Sequence, residues 1–199
     1  MAEVFRTPSA VTAGACRQAL DVYGEWQGFT AHVDHCGNSI VDVGLVVQVG
    51  GAGDLVDTMR RCLQLTAAAH GAQVYPETVI LARLRDGQGH VWHADNVRRG
   101  SDGWLPNHTP HRDFVGLLYL NDVAAGGRLQ FRRSDVGGVV PAAGLYVTFP
   151  CGADYVHRVE AVVEGDRFTL AMWFTVERAH AHPTLVELLC GDGTDHVDS

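Results

Sequence analysis

At 199 residues the chain is long enough for one domain with a proper core, and its 46% apolar and 19% charged composition suits a soluble globular protein rather than a disordered one. A formal charge of −8 without any basic run excludes a nucleic-acid or anionic-membrane partner, because nothing would offset phosphate repulsion. All fifteen basic residues are Arg, so lysine-dependent chemistry (a P-loop, a Schiff base, a Ser-Lys pair) is excluded too, and an anionic group held by a salt bridge must be held by Arg.

In chain order, a first helix is expected from about Ser9, as N-cap, to Trp26, with Ala15, Leu20 and Tyr23 among its apolar positions. Ser39 to Val49 reads as one or two strands. A second helix is expected from about Asp54 to His70, with Leu55, Met59, Cys62, Leu63 and Ala67 at helical spacing and Gly71 as its stop. From residue 73 the texture changes to short β-rich runs: Gln73–Leu84, Phe114–Leu120, Arg128–Phe131, Leu145–Phe149 and Phe168–Val176. Clusters such as NDVAAGG and DVGGVVPAAG break them, which indicates an antiparallel sandwich or barrel. The expectation is one α+β domain: helical support over about 1–72, a β core over about 73–178, and a tail over 179–199 with one short apolar helix after Pro183. Cys16, Cys36, Cys62, Cys151 and Cys190 are scattered, odd in number and without a CxxC pair, so they read as buried or incidental thiols of a reducing compartment. No basic-then-apolar leader and no span-length apolar stretch is present, and the expected location is cytoplasmic.

Two histidines and one carboxylate on one face can hold a mononuclear iron(II) with three positions left open. His-x-Asp beside a strand supplies two of these donors, since side chains alternate with period two. The chain has four such pairs, at His32/Asp34, His93/Asp95, His111/Asp113 and His196/Asp198, where composition alone predicts about one. The last has no His after it. The first precedes the β-rich part. His93/Asp95 and His111/Asp113 both remain, the latter leading directly into the strand FVGLLYLN. His157, in YVHRV, is the downstream histidine, and Arg167 follows ten residues later on RFTLAMWF, where it can pair with a dicarboxylate. On spacing alone, a structural His157 and a surface Arg167 stand beside this reading.

Taken together, GQGHVWHADN, HRDFVGLLYLNDVAAGG and HRVEAVVEGDRFTLAMWFT resemble the prolyl hydroxylase superfamily of iron(II)/2-oxoglutarate oxygenases, and most of all its prolyl 3-hydroxylase-like branch. The resemblance covers about residues 77–178. It implies a double-stranded β-helix (jelly-roll) core buttressed by the N-terminal helices. It implies His93, Asp95 and His157 as metal ligands, and Arg167 with Tyr119 as the pair that binds the distal carboxylate of 2-oxoglutarate. Arg112 then falls at the substrate mouth or supports the loop, and Trp173 matches an aromatic near the iron pocket. His90 stands where many relatives carry Tyr. The implied reaction consumes 2-oxoglutarate and O2, with ascorbate as reductant, and hydroxylates an unactivated C–H bond. Asp95 points away from halogenation, because halogenating relatives replace this carboxylate with a small residue. The expected substrate is an amino acid or a natural-product precursor derived from one. The alternatives are a prolyl or other residue in a peptide or protein and, from another class, a jelly-roll sensor that binds without turnover.

Overall fold

The first helix starts at Thr12 rather than Ser9. In the computed structural model, which describes residues 3–28, 32–33 and 39–191, Thr12 Oγ1 accepts the Ala15 N–H at 3.1 Å and α1 spans Ala13–Trp26. Ser9 has φ +51°, left-handed backbone that no helix start uses, and turns the chain between β1 (Phe5–Thr7) and α1. The buried face of α1 is Cys16, Ala19, Val22 and Tyr23, so the apolar stripe is rotated from the expected one and Ala15 and Leu20 sit at its margin.

After β2 (His32–Val33), the segment expected as one or two strands divides into β3 (Ser39–Asp42) and a helix, α2 (Val43–Gln48). Its β-branched content favours a strand, but Asp42 Oδ1 caps the turn by accepting the Leu45 N–H at 3.2 Å, and the turn buries Val43, Gly44 and Val46. A short 3-10 turn at Gly53–Leu55 leads into α3 (Val56–His70), which ends on Gly71 at φ +61°, as its sequence predicts.

From residue 75 the chain is mostly strand: β4 (Tyr75–Leu84), β5 (His90–His93), β6 (Val97–Arg99), β7 (Trp104–Pro106), β8 (Phe114–Tyr119), β9 (Ala125–Gly126), β10 (Leu129–Phe131), β11 (Tyr146–Pro150), β12 (His157–Val159), β13 (Val162–Glu164) and β14 (Arg167–Thr175), then α4 (Pro183–Cys190). β4, β8, β10, β11 and β14 are the five expected strands, each within two residues. A seven-stranded antiparallel sheet has the order β1-β11-β8-β14-β4-β3-β2, and a three-stranded sheet the order β10-β12-β5. The two sheets enclose Leu84, Val115, Tyr119, Leu129, Phe131, Val147, Phe149 and Val159. The other face of the large sheet carries a second core, where Leu118, Leu170, Met172 and Phe174 meet Val22, Tyr23, Met59 and Cys62 of the helices. This is a jelly-roll core with helices buttressing one sheet.

β14 is the pivot. It pairs with β4 along its full length and with β8 over Thr169–Phe174. Its even-numbered residues face the helices, while Arg167 and Trp173 face the space between the sheets. Gly116, on neighbouring β8, has no room for a Cβ, which would run into the hydroxyl of buried Tyr146. Cys16, Cys62, Cys151 and Cys190 are free thiols, and Cys36 lies outside the described residues, as does the tail from 192. No helix among the described residues is long and apolar enough to cross a membrane.

His70 closes α3 in an aromatic slot. Its ring stacks on Phe114 with centroids 4.2 Å apart, meets Phe5 edge-on at 5.2 Å, and places Nε2 3.2 Å from Thr148 Oγ1. The Thr148 hydroxyl donates its own proton to the Val115 carbonyl at 2.9 Å, so Nε2 is the donor toward it. Burial lowers the pKa of His70 from 6.5 to about 4. The unfolded chain therefore takes up this proton first, and the contribution to stability is whole above pH 6.5 and is lost as pH falls toward 4. The urea midpoint is expected to fall across that window, and more steeply than in His70→Gln; equal slopes in the two proteins would refute the assignment.

Candidate metal centre

The strand β5 ends on His93, and its antiparallel partner β12 begins on His157 directly opposite. Cross-strand pairing thus brings together two imidazoles 64 residues apart, with ring centroids 4.3 Å from each other. Each ring is fixed in the same way. His93 Nδ1 lies 2.8 Å from the Val91 carbonyl and His157 Nδ1 2.9 Å from the Tyr155 carbonyl. A carbonyl only accepts, so both Nδ1 atoms carry the proton and both Nε2 atoms present bare lone pairs. Burial pushes the His157 imidazole below its ordinary pKa; Asp95 pulls the other way and His93 adds to the lowering. The neutral, metal-binding form is the favoured one.

Asp95 follows two residues after His93, with 9% exposure, and completes the set. Its Oδ2 lies 3.8 Å from His157 Nε2 and has no hydrogen-bond partner. One donor atom from each of His93, Asp95 and His157 falls within 4.8 Å of the others, the only such group of three among the described residues. An orphaned carboxylate oxygen beside two bare imidazole nitrogens fits a divalent cation taken from one side, with the opposite positions open.

Asp95 is anchored through both its side chain and its backbone. Trp173 Nε1 donates to Oδ1 at 2.9 Å. The Asp95 carbonyl accepts from Asn107 Nδ2 at 3.0 Å and Thr109 Oγ1 at 2.9 Å. Arg112 stacks its guanidinium 4.6 Å over the Trp173 ring, donates through Nε to Glu77 Oε2 at 2.8 Å, and lies 3.3 Å from Thr78 Oγ1. Burial raises the Glu77 carboxyl, but the Arg112 charge and the hydrogen bonds outweigh it and leave the pKa below its ordinary value.

A second feature lies in the same inter-sheet space. Arg167 is 3% exposed, and its Nε and Nη2 have no partner. Its guanidinium sits 5.0 Å over the ring of Tyr119, which is fully buried and whose hydroxyl is also unpaired. Burial raises the Tyr119 pKa, with Arg167 opposing in part, so the hydroxyl stays a neutral donor. A buried guanidinium without a counter-ion is costly, and this pair of donors is a cradle for an anion.

The remaining residues singled out from sequence fall as follows. His111 bonds to Glu77 at 3.3 Å and stacks on His180, while Asp113 Oδ2 accepts the Val176 N–H at 2.7 Å, so that pair secures strand ends and does not meet His157. His32/Asp34 and His196/Asp198 lie outside the described side chains. Arg112 is held by Glu77 and lies over Trp173, with its side chain 16% exposed. Trp173 touches Asp95 itself. The ring of His90 is 5.9 Å from that of His93. Sequence reading missed Glu77, Asn107 and Thr109. Nothing in the sequence marked WLPNHTP, which opens on β7, as the support of Asp95.

Residues 79–175 match the model of the 2OG-Fe(II) oxygenase superfamily. Prolyl 3-hydroxylase 2 of Rattus norvegicus is 33% identical over 101 residues, which is 47% of this chain but only 14% of that protein. Among solved structures, the viral collagen prolyl hydroxylase of Paramecium bursaria Chlorella virus-1 superposes with a TM-score of 0.66 at 14% identity, covering 88% of this chain and 96% of the other. The prolyl-4-hydroxylase of Pseudomonas putida gives 0.65 at 18% identity, covering 89% and 94%.

Proposed function

We propose that this chain, whose residues 79–175 match the 2OG-Fe(II) oxygenase superfamily and part of which is similar to prolyl 3-hydroxylases, is a 2-oxoglutarate-dependent iron(II) dioxygenase that hydroxylates an unactivated C–H bond of a proline or of another amino-acid unit. The observation that carries the reading is the pair of orphaned features in one inter-sheet space. A buried carboxylate oxygen beside two bare imidazole nitrogens suits a cation, and an unpaired Arg167 over an unpaired Tyr119 suits an anion.

In this reading His93, Asp95 and His157 hold iron(II), their neutral rings already aimed by the Val91 and Tyr155 carbonyls. Iron(II), when bound, supplies the activation of O2 that drives decarboxylation of the 2-oxo acid, and ascorbate keeps it reduced. Arg167 neutralises the distal carboxylate of 2-oxoglutarate and Tyr119 donates its hydroxyl to it. Phe131 and Phe149, whose rings flank His157 at 6.0 and 5.0 Å, keep water from that side of the centre. An Asp at position 95, rather than a small residue, favours hydroxylation over halogenation. The likeness to prolyl 3-hydroxylases supports a prolyl unit as substrate, while the chain spans about a seventh of those relatives' length, so both free L-proline and prolyl peptides belong in the assay.

The test is succinate release from 2-oxoglutarate with iron(II) and ascorbate, with free amino acids and with proline-containing peptides. Substrate-dependent succinate with a product heavier by one oxygen atom is the expected result. A protein that neither releases succinate nor is stabilised thermally by Mn(II) plus 2-oxoglutarate would sink the proposal, and a sensor would be stabilised without turnover.

A further inference from the structure

We infer that Trp173 is a positioning residue of the metal centre: its indole N–H holds one oxygen of Asp95 so that the other alone faces the two imidazoles, and Arg112, braced by Glu77, holds the indole. This rests on the metal-centre reading above and adds to it the element that aims the carboxylate.

Asp95 lies beyond the end of β5, so no strand ladder sets the direction of its side chain. The contact that fixes its carboxylate is the 2.9 Å hydrogen bond from Trp173 Nε1 to Oδ1, which leaves Oδ2 with no other partner and 3.8 Å from His157 Nε2. The donor sits on a rigid support. Trp173 belongs to the central strand of the large sheet, opposite Val115 of β8 and Thr78 of β4. Its ring is clamped by the Arg112 guanidinium at 4.6 Å, in turn tied to Glu77 at 2.8 Å, and His111 bonds to the same carboxylate. A cation over the ring face draws electron density from the indole and strengthens its N–H as a donor. The chain Glu77–Arg112–Trp173–Asp95 thus runs from β4 through the loop before β8 to β14 and ends on the non-ligating oxygen of the ligand carboxylate. It links the site to the sheet without entering the co-substrate cradle at Arg167.

The test is Trp173→Phe, which keeps the ring and removes the N–H. Mn(II) affinity is read by counting free Mn(II) by electron paramagnetic resonance, alongside urea unfolding of the metal-free protein. Loss of an outer hydrogen bond to a ligand should weaken Mn(II) binding ~10–100-fold, while 2-oxoglutarate affinity at saturating metal stays within about twofold, since Arg167 is untouched. Unchanged Mn(II) affinity in a folded variant overturns the inference, as does a loss confined to stability. If Trp173→Phe fails to fold, Arg112→Met decides: several-fold weaker Mn(II) binding supports the relay, and wild-type binding overturns it. A wild-type protein that takes up no Mn(II) would instead refute the metal-centre reading itself.

Discussion

A His157→Ala protein is expected to lose iron(II) binding by more than ~100-fold, beyond the upper end of what loss of an outer partner costs, and to release no succinate. His157 is buried, its Nδ1 proton is committed to Tyr155, and its Nε2 is the donor nearest the free oxygen of Asp95. Removing the ring leaves His93 and Asp95, two donors where a stable site needs three. The fold should survive, since the other sides of the cavity are Phe131 and Phe149 and no hydrogen bond of the core passes through Nε2. His111→Ala is the contrasting variant. That ring serves Glu77 and His180, so iron binding and turnover should persist. Iron retained by His157→Ala and lost by His111→Ala would move the centre to the other His-x-Asp pair.

Arg167→Met should act in two opposite directions. Without its charge-assisted partner, 2-oxoglutarate binding should fall ~100-fold, corresponding to about 3 kcal/mol for one polar group left unpaired in a closed pocket. The metal-free protein should at the same time become more stable, because a buried guanidinium with two unpaired nitrogens gives way to an apolar chain of similar length. Replacing buried ionic groups by well-packed apolar ones stabilises by about 1–4 kcal/mol in favourable cases. Thermal unfolding reads both effects in one series: a higher midpoint without ligand, and no further rise when 2-oxoglutarate is added to the Mn(II)-loaded protein. A lower ligand-free midpoint would mean that Arg167 has a structural partner. An undiminished ligand-induced rise would mean that the carboxylate binds elsewhere.

Much of the large sheet was legible in the sequence because its strands are long, apolar and bounded by Gly, Asp and Pro clusters. Of the small sheet only β10 was. β5 is four residues long with a His at each end, and β12 three, too short for a period to show. Ser39–Val49 misled for a physical reason: Val-rich composition favours a strand, and the side chain of Asp42 decided for a helix at its midpoint. Likewise Thr12, not Ser9, offered its hydroxyl to the right N–H. For the site, residue types and order pointed to His93, Asp95, His157, Arg167 and Tyr119 through a resemblance, while spacing left His111/Asp113 open. No sequence pattern could show that Trp173 reaches Asp95 across 78 residues, or that Glu77 anchors Arg112 across 35. Those contacts exist only after the strands have found their register.

The placement of β14 bears on how the chain is made. Of the described strands it is the last to leave the ribosome, yet it lies between β8 and β4, which form no ladder with each other. Until residue 175 has emerged, both carry an open edge and the metal ligands have no common floor. The parts made first must wait for the part made last, a long-range closure of the kind that folds slowly and leaves strand edges exposed meanwhile.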